Sequence, residues 1–203
     1  LHMIQLTIPP FDGPKEMLRR MFKNDAGTIA HSYDVFYLVQ DFYGMMPMQL
    51  KVELNRTDLF NAALLHDIGK SVLPKIILNK PGELTPGERE IIKTHVEFGK
   101  DLLEGTPYEH LSEMVRYHHE RVDGNGYYGL CKNEIPLESK IIAIADTYSA
   151  LTSNRVYRLK CKVNKAYKIL YDATGTQLDE KLTFLFCKSL QNNENMLSGG
   201  YRY

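Results

Sequence analysis

Four histidines, His31, His66, His95 and His118, each fall on the apolar stripe of a different helical segment, and this constrains the fold more than any other feature. A neutral imidazole aimed into hydrocarbon costs free energy unless a polar partner meets it. Four such rings from four segments therefore require the helices to converge on a shared polar centre. The first segment, about Thr28 to Tyr43, carries His31. The second begins near Thr57 and sets Leu59, Ala63 and His66 on one face. The third starts at Thr85-Pro86-Gly87-Glu88, with an N-cap threonine, proline at the first position and glutamate three residues after the cap. It turns Ile91, Ile92, His95, Phe98 and Leu102 inward, and the fourth, Tyr108 to His119, aligns Leu111, Met114, Val115 and His118.

The remaining pattern is also helical. Pro14 to Lys23 reads as a short helix entered through Pro9-Pro10 and Asp12-Gly13. Between Glu120 and Pro136 periodicity fails, and Asp123-Gly124-Asn125-Gly126-Tyr127-Tyr128-Gly129 reads as a glycine-rich loop. Helix resumes from Leu137 to about Asn154, followed by closing helices at Lys162–Ala173 and Asp179–Leu190 and a polar, frayed tail from Gln191. The expected fold is all-α: a single-domain helical bundle over 26–190, with a leader at 1–25 and a tail at 191–203. A chain of 203 residues is long enough to bury a core of that kind.

Lys plus Arg number 25 and Asp plus Glu number 25, so the chain has no net basic footprint for a nucleic-acid polymer or an acidic membrane. The longest strictly aliphatic run, Ile141 to Ala145, is far short of a membrane span, and no secretory signal is expected at the N-terminus. Cys131, Cys161 and Cys187 are widely separated and form no CxxC, which argues against a disulfide framework or a thiolate zinc site. A reducing, cytoplasmic location is the expectation.

The chemistry gathers around His66-Asp67 in HDIGK. A single buried histidine is usually satisfied by one hydrogen bond, and His110, among exposed-looking residues, reads as surface. Together, however, His31, His66, His95, His118, His119, Asp67 and Asp146 supply enough nitrogen and oxygen ligands for two metal ions. Asp146 follows Ile-Ile-Ala-Ile-Ala, where an unpaired carboxylate would be costly and a cation would stabilise it. A carboxylate can bridge two metals about 3.5–4 Å apart, the spacing of two-metal hydrolytic sites. Ligation without thiolates suits iron, manganese or zinc better than magnesium. Gly69 is expected to end the His66 helix and leave the Lys70 ammonium over the metals, with a phosphate oxygen as its partner. Arg155 and Arg158 offer bidentate phosphate contacts. The implied reaction is metal-assisted hydrolysis of a phosphate ester, with the substrate open.

A run of motifs in order resembles the HD-GYP subgroup of the HD phosphohydrolases: AALLHDIGK from Ala62, ILNKPGELT from Ile77, KTHVEFG from Lys93, HHERVDGNGY from His118, EIPLESKIIAIAD from Glu134, ALTSNRVYR from Ala150 and GTQLD from Gly175. The resemblance implies an all-helical bundle holding two iron or manganese ions. One would be bound by His31, His66, Asp67 and Asp146; Asp67 would bridge to a second held by His95, His118 and His119. It implies catalytic roles for Asp67 and Lys70, substrate contacts from Lys70, Arg155 and Arg158, and hydrolysis of cyclic di-GMP to pGpG, in some members on to GMP, by a hydroxide between the metals. A diguanylate cyclase of the GGDEF type is an implied partner.

The departures from that pattern are specific. The name-giving Gly-Tyr-Pro reads Gly126-Tyr127-Tyr128, and loss of the proline is expected to free the loop backbone. Ser149 stands where an aspartate is frequent, Val156 replaces the proline of RPYR, and Gly27 occupies the position of a glutamate used by three-metal members, which favours two metals. Two alternatives follow: a weakly catalytic cyclic-dinucleotide receptor or adaptor, motivated by Tyr128, and an HD phosphohydrolase for another nucleotide such as cyclic GMP-AMP. Mononucleotide hydrolysis needs fewer ligands than this chain carries.

Overall fold

A computed structural model describes residues 13–23, 25–153 and 162–199. The helices are α1 (Pro14–Met21), α2 (Ala26–Met45), α3 (Met48–Lys51), α4 (Arg56–Leu65), α5 (Lys75–Leu78), α6 (Pro86–Lys93), α7 (His95–Leu103), α8 (Ser112–Arg116), α9 (Leu137–Thr152), α10 (Val163–Asp172) and α11 (Glu180–Gly199), with 3-10 turns at Ile68–Val72 and Glu109–Leu111. Among the described residues the sole β feature is an isolated bridge between Thr174 and Leu178, so the fold is all-α as expected.

Local chemistry sets the helix starts. The Asp25 carboxylate accepts from the Thr28 N–H at 3.0 Å and opens α2. The Asn55 carboxamide caps α4 through the N–H groups of Thr57 and Asp58. Thr85 and Glu88 form the reciprocal capping box at α6 that the sequence predicts. The core centres on α2, whose Val35, Val39 and Phe42 are buried. α2 packs against α4, α9 and α11, which supply Leu59, Ala62 and Ala63, then Ile141, Ile142 and Ala145, then Leu182 and Phe186. Phe42 meets Phe186 edge-on at 5.3 Å. Each large apolar side chain buried here contributes about 1.5–3 kcal/mol, so the framework holds the polar centre rather than depending on it.

Several expected boundaries move. The helix from Thr85 is two helices, broken at Thr94, whose hydroxyl donates to the Ile91 carbonyl at 2.7 Å. The change of axis leaves Ile91 and Phe98 on the surface, not inward as the stripe predicts, while His95 and Leu102 stay buried. The Tyr108–His119 segment is a 3-10 turn followed by the short α8, with His118 and His119 in the turn beyond it. α4 stops at Leu65, so Gly69 does not end that helix but lies inside the following 3-10 turn. There a Cβ on Gly69 would sit 1.9 Å from the His95 carbonyl oxygen, so this turn lies directly against α7. α11 continues to Gly199, past the expected stop at Leu190. α3 and α5, each four residues, are too short to give a readable period.

Candidate metal centre

These breaks place the histidines at helix ends. The last carbonyls of a helix have no intrahelical donor, and three of the rings supply one. His66 Nδ1 donates to the Ala63 carbonyl at 2.8 Å at the end of α4. His95 Nδ1 donates to Ile92 at 2.6 Å at the end of α6, and His118 Nδ1 donates to Val115 at 2.6 Å at the end of α8. Each bond runs from residue i to i−3 and fixes both tautomer and ring orientation. With the proton on Nδ1, each Nε2 keeps a lone pair. All three Nε2 atoms, together with Asp67 Oδ1, are buried without a hydrogen-bond partner among the described residues.

Asp67, itself buried, divides its two oxygens between two sets of residues. Oδ1 lies 3.3 Å from His95 Nε2 and 3.9 Å from His118 Nε2. Oδ2 lies 3.3 Å from His66 Nε2 and 3.8 Å from His31 Nε2. Asp67, His95, His118 and His119 present one set of ligand atoms within 4.8 Å of one another; His31, His66 and Asp146 present a second. Inward lone pairs with no proton between them are costly in a buried site, and a cation among them removes that cost. The residues fit a metal centre.

Electrostatics point the same way. Burial lowers His95 to about 3 and His119 to about 4, and it holds His118 well below the ordinary histidine value. All three are neutral at neutral pH, the form that ligates. Burial also acts to lower His66, but the adjoining Asp67 carboxylate outweighs it and the net shift is upward. Burial would raise Asp67, yet Lys70 and then His66 hold it well below the carboxylate range. Asp146 is lowered too, its burial outweighed by a hydrogen bond from His31 together with the charge interactions of His66 and His31. That bond joins His31 Nε2 to Asp146 Oδ1 at 2.8 Å, while Ser149 Oγ lies 3.0 Å from His31 Nδ1. Ser149 thus keeps a polar group behind His31.

Lys70 Nζ donates to Asp67 Oδ2 at 2.5 Å, so the ammonium reaches the centre from the 3-10 turn. Arg155 and Arg158 lie outside the described residues. His110 is exposed and bonded to Asp58, as its surface reading predicts.

A cavity of about 330 Å³ borders the centre, lined by His118, His119, Tyr127, Asp146, Thr147 and Gln177 among others. Its size falls in the range of small-molecule sites. Tyr127 is tilted against the His119 ring at 5.0 Å, and Lys93 Nζ lies 5.6 Å from the Tyr127 ring centre. Neither Tyr127 nor Gln177 has an assigned role in the sequence reading, because nothing local distinguishes a wall residue from packing.

The altered loop behaves differently from the expectation that losing proline frees it. Tyr128 N–H donates to Glu120 Oε1 at 2.8 Å, and Leu130 N–H donates to Glu120 Oε2 at 2.8 Å. Proline has no N–H for the first of these bonds. The Tyr128 hydroxyl donates to Glu97, which Arg116 also binds at 2.6 and 2.9 Å, and the guanidinium stands 4.7 Å over the Tyr128 ring. A Cβ on Gly126 would sit 2.7 Å from Glu120, so only glycine allows the loop to lie this close. The tyrosine therefore fastens the loop, and its side chain does not line the cavity. Buried Glu120, directly after His118-His119, was the available sequence signal for this anchor.

A helical bundle with clustered histidines and a central His-Asp pair defines the class. The chain belongs to the HD domain family, whose model matches residues 39–182, and α2 brings in His31 from before that segment. Curated relatives are cyclic-dinucleotide phosphodiesterases, consistent with the HD-GYP resemblance. The chain is 40% identical over 124 residues to a cyclic di-GMP phosphodiesterase response regulator of Xanthomonas campestris, covering 59% of this chain and 33% of that protein. It is 39% identical over 136 residues to a cyclic di-GMP phosphodiesterase of Thermotoga maritima, covering 65% and 37%. A 3'3'-cGAMP-specific phosphodiesterase of Vibrio cholerae is 36% identical over 140 residues, covering 68% and 30%. The chain thus spans about a third of the length of these relatives. Among solved structures, the HD domain of the L. monocytogenes phosphodiesterase PgpH in complex with cyclic-di-AMP superposes with a TM-score of 0.64 at 19% identity, covering 92% of this chain and 98% of that one. An HDGYP-type protein of Bdellovibrio bacteriovorus gives 0.62 at 17%, covering 88% and 61%. At these identities the structural likeness speaks for the fold. No helix among the described residues is long and apolar enough to cross a membrane.

Proposed function

We propose that this chain is a metal-dependent phosphodiesterase that opens cyclic di-GMP to pGpG and, by a second cut, yields GMP. The observation that carries this reading is the division of Asp67, with Oδ1 toward His95 and His118 and Oδ2 toward His66 and His31. A carboxylate so placed suits a shared ligand of two divalent ions, iron or manganese by the donor set. We assign one ion to His31, His66, Asp67 and Asp146, and the other to Asp67, His95, His118 and His119. When bound, such a pair supplies Lewis acidity toward a phosphoryl oxygen and lowers the pKa of a water molecule.

The protein's own groups position the substrate. Lys70 would give its ammonium to a phosphate oxygen, since it already lies at the edge of the centre beside Asp67. Arg155 and Arg158 are assigned phosphate contacts on the strength of the HD-GYP resemblance. Tyr127 offers a ring face and Gln177 an amide to a nucleobase in the adjoining cavity. The catalytic unit is residues 26–190, acting in the cytosol, with a GGDEF-type synthase as a partner.

A mixed-base substrate, 3'3'-cGAMP, is the second reading, favoured by the cGAMP-specific relatives. The receptor reading has less support, because Tyr128 fastens the loop outside the cavity lining. Anaerobic purification with metal analysis, then chromatographic assay against both cyclic dinucleotides, tests the proposal. Asp67→Ala is expected to lose metal and to abolish turnover. Undiminished hydrolysis by that variant refutes the mechanism.

A further inference from the structure

A second cavity, of about 110 Å³, lies between the α1–α2 connection and the segment from Lys70 to Leu78. It has the share of roughly four liquid waters, room for a phosphate group and tight for a base. Lys23, Lys70 and Lys75 line it together with Ser71 and Asp25. Asp25 is already engaged: Oδ1 accepts from the Thr28 N–H at 3.0 Å and Oδ2 from the Thr28 hydroxyl at 2.8 Å. Lys23 and Lys75 form no ion pair among the described residues. The Ser71 hydroxyl oxygen is buried there without a hydrogen-bond partner.

Lys70 is paired with Asp67 and Asp25 brings one carboxylate, which leaves Lys23 and Lys75 as cations beside the cavity with no anion paired to them among the described residues, and the unpartnered buried Ser71 hydroxyl adds to the cost. An anion with several acceptor oxygens relieves both. Lys70 connects this cavity to the metal centre, because its Nζ lies 2.5 Å from Asp67 Oδ2. We propose that the cavity is a phosphate subsite, which holds a nucleotide phosphate other than the one under attack. The inference rests on the cyclic-dinucleotide reading of the centre. The phosphate has two possible sources: the second phosphate of the cyclic substrate, or the 5′-terminal phosphate of the linear product.

The test compares the parent protein, metal-loaded, with the double variant Lys23→Gln/Lys75→Gln; both side chains are exposed and lie outside the ligand set. Calorimetry measures binding of hydrolysis-resistant phosphorothioate forms of cyclic di-GMP, pGpG and GpG, the last keeping only the internal phosphate, and of guanosine, which has none. The expected result is about tenfold weaker binding of a probe whose phosphate occupies the cavity, with guanosine unchanged. Loss by the linear pGpG form alone assigns the terminal phosphate. Loss by the cyclic form, with or without the linear one, assigns the second phosphate of the substrate. Unchanged affinity for both, or an equal loss for phosphate-free guanosine, overturns the proposal. A parent protein that hydrolyses nothing defeats the catalytic reading, yet this comparison still reads the subsite by binding.

Discussion

Gly69→Ala should break the second ligand set while sparing the first. Gly69 packs so tightly on α7 that an added Cβ would stand 1.9 Å from the His95 carbonyl oxygen and 2.4 Å from the Gly99 nitrogen. Both are backbone atoms, so no side-chain rotation relieves the overlap. To restore ordinary contact, α7 must recede by roughly 1.5 Å at His95. Metal–ligand distances tolerate only about 0.2 Å, so His95 would be carried out of reach. His31, His66 and Asp146 stand on α2, at the end of α4 and on α9, and none of them supplies an atom to this overlap. Overpacking against backbone is expected to cost about 3 kcal/mol, a fall in Tm of roughly 6–12 °C for a domain of this size. Reconstituted protein, analysed for metal by mass spectrometry and for Tm by calorimetry, should bind one ion fewer than the parent. Parental metal content at parental affinity and an unchanged Tm would refute the close packing of this turn on α7.

Other consequences are open to direct measurement. Tyr128→Pro removes the N–H that reaches Glu120 and the hydroxyl that reaches Glu97; leaving buried Glu120 short of a donor should cost about 1–3 kcal/mol and speed amide exchange across residues 124–130, and exchange at the parental rate would show that the loop is held by other contacts. Ser149→Ala takes away the group behind His31 Nδ1 and should weaken metal affinity by about 10–100-fold, with titration at parental affinity counting against an orienting role. Protein stripped of metal by a chelator should lose stability as pH falls from about 6.5 towards 4. In that window His119 and His95, lowered to about 4 and about 3, stay neutral when folded, while the unfolded chain takes up their protons. His66, raised by Asp67, acts in the opposite sense but is outnumbered. A Tm that is flat or rises on acidification across that range contradicts the assignment.

Much of the centre was legible because its signals are local. HDIGK, HHE and an aspartate closing an aliphatic run each mark a polar group forced among apolar neighbours, and such a group needs a partner wherever the chain folds. The glycine-rich loop and the capping box at Thr85 are equally local. The residues on the apolar stripes do converge, but not through continuous helices. His66 and His118 lie past their helices and His95 opens a new one, since breaks at Leu65, Thr94 and Arg116 depend on hydrogen bonds that periodicity does not encode. The effect of Tyr128 is likewise not local: losing proline frees a backbone only if nothing binds the N–H it gains, and Glu120 binds it.

The sequence by itself determined that this is an all-α chain with seven candidate histidine and aspartate ligands and a lysine beside them, because residue type and helical period survive without knowledge of neighbours. Only the tertiary structure decided how those ligands are shared. Asp67 turns one oxygen to each set because the 3-10 turn after α4 rests on α7 at Gly69. Likewise, Lys23 and Lys75 become neighbours of Lys70 only when α1 folds beside that turn. Which lone pairs meet, and which cations are left without an anion, are properties of distances between segments that no single segment contains.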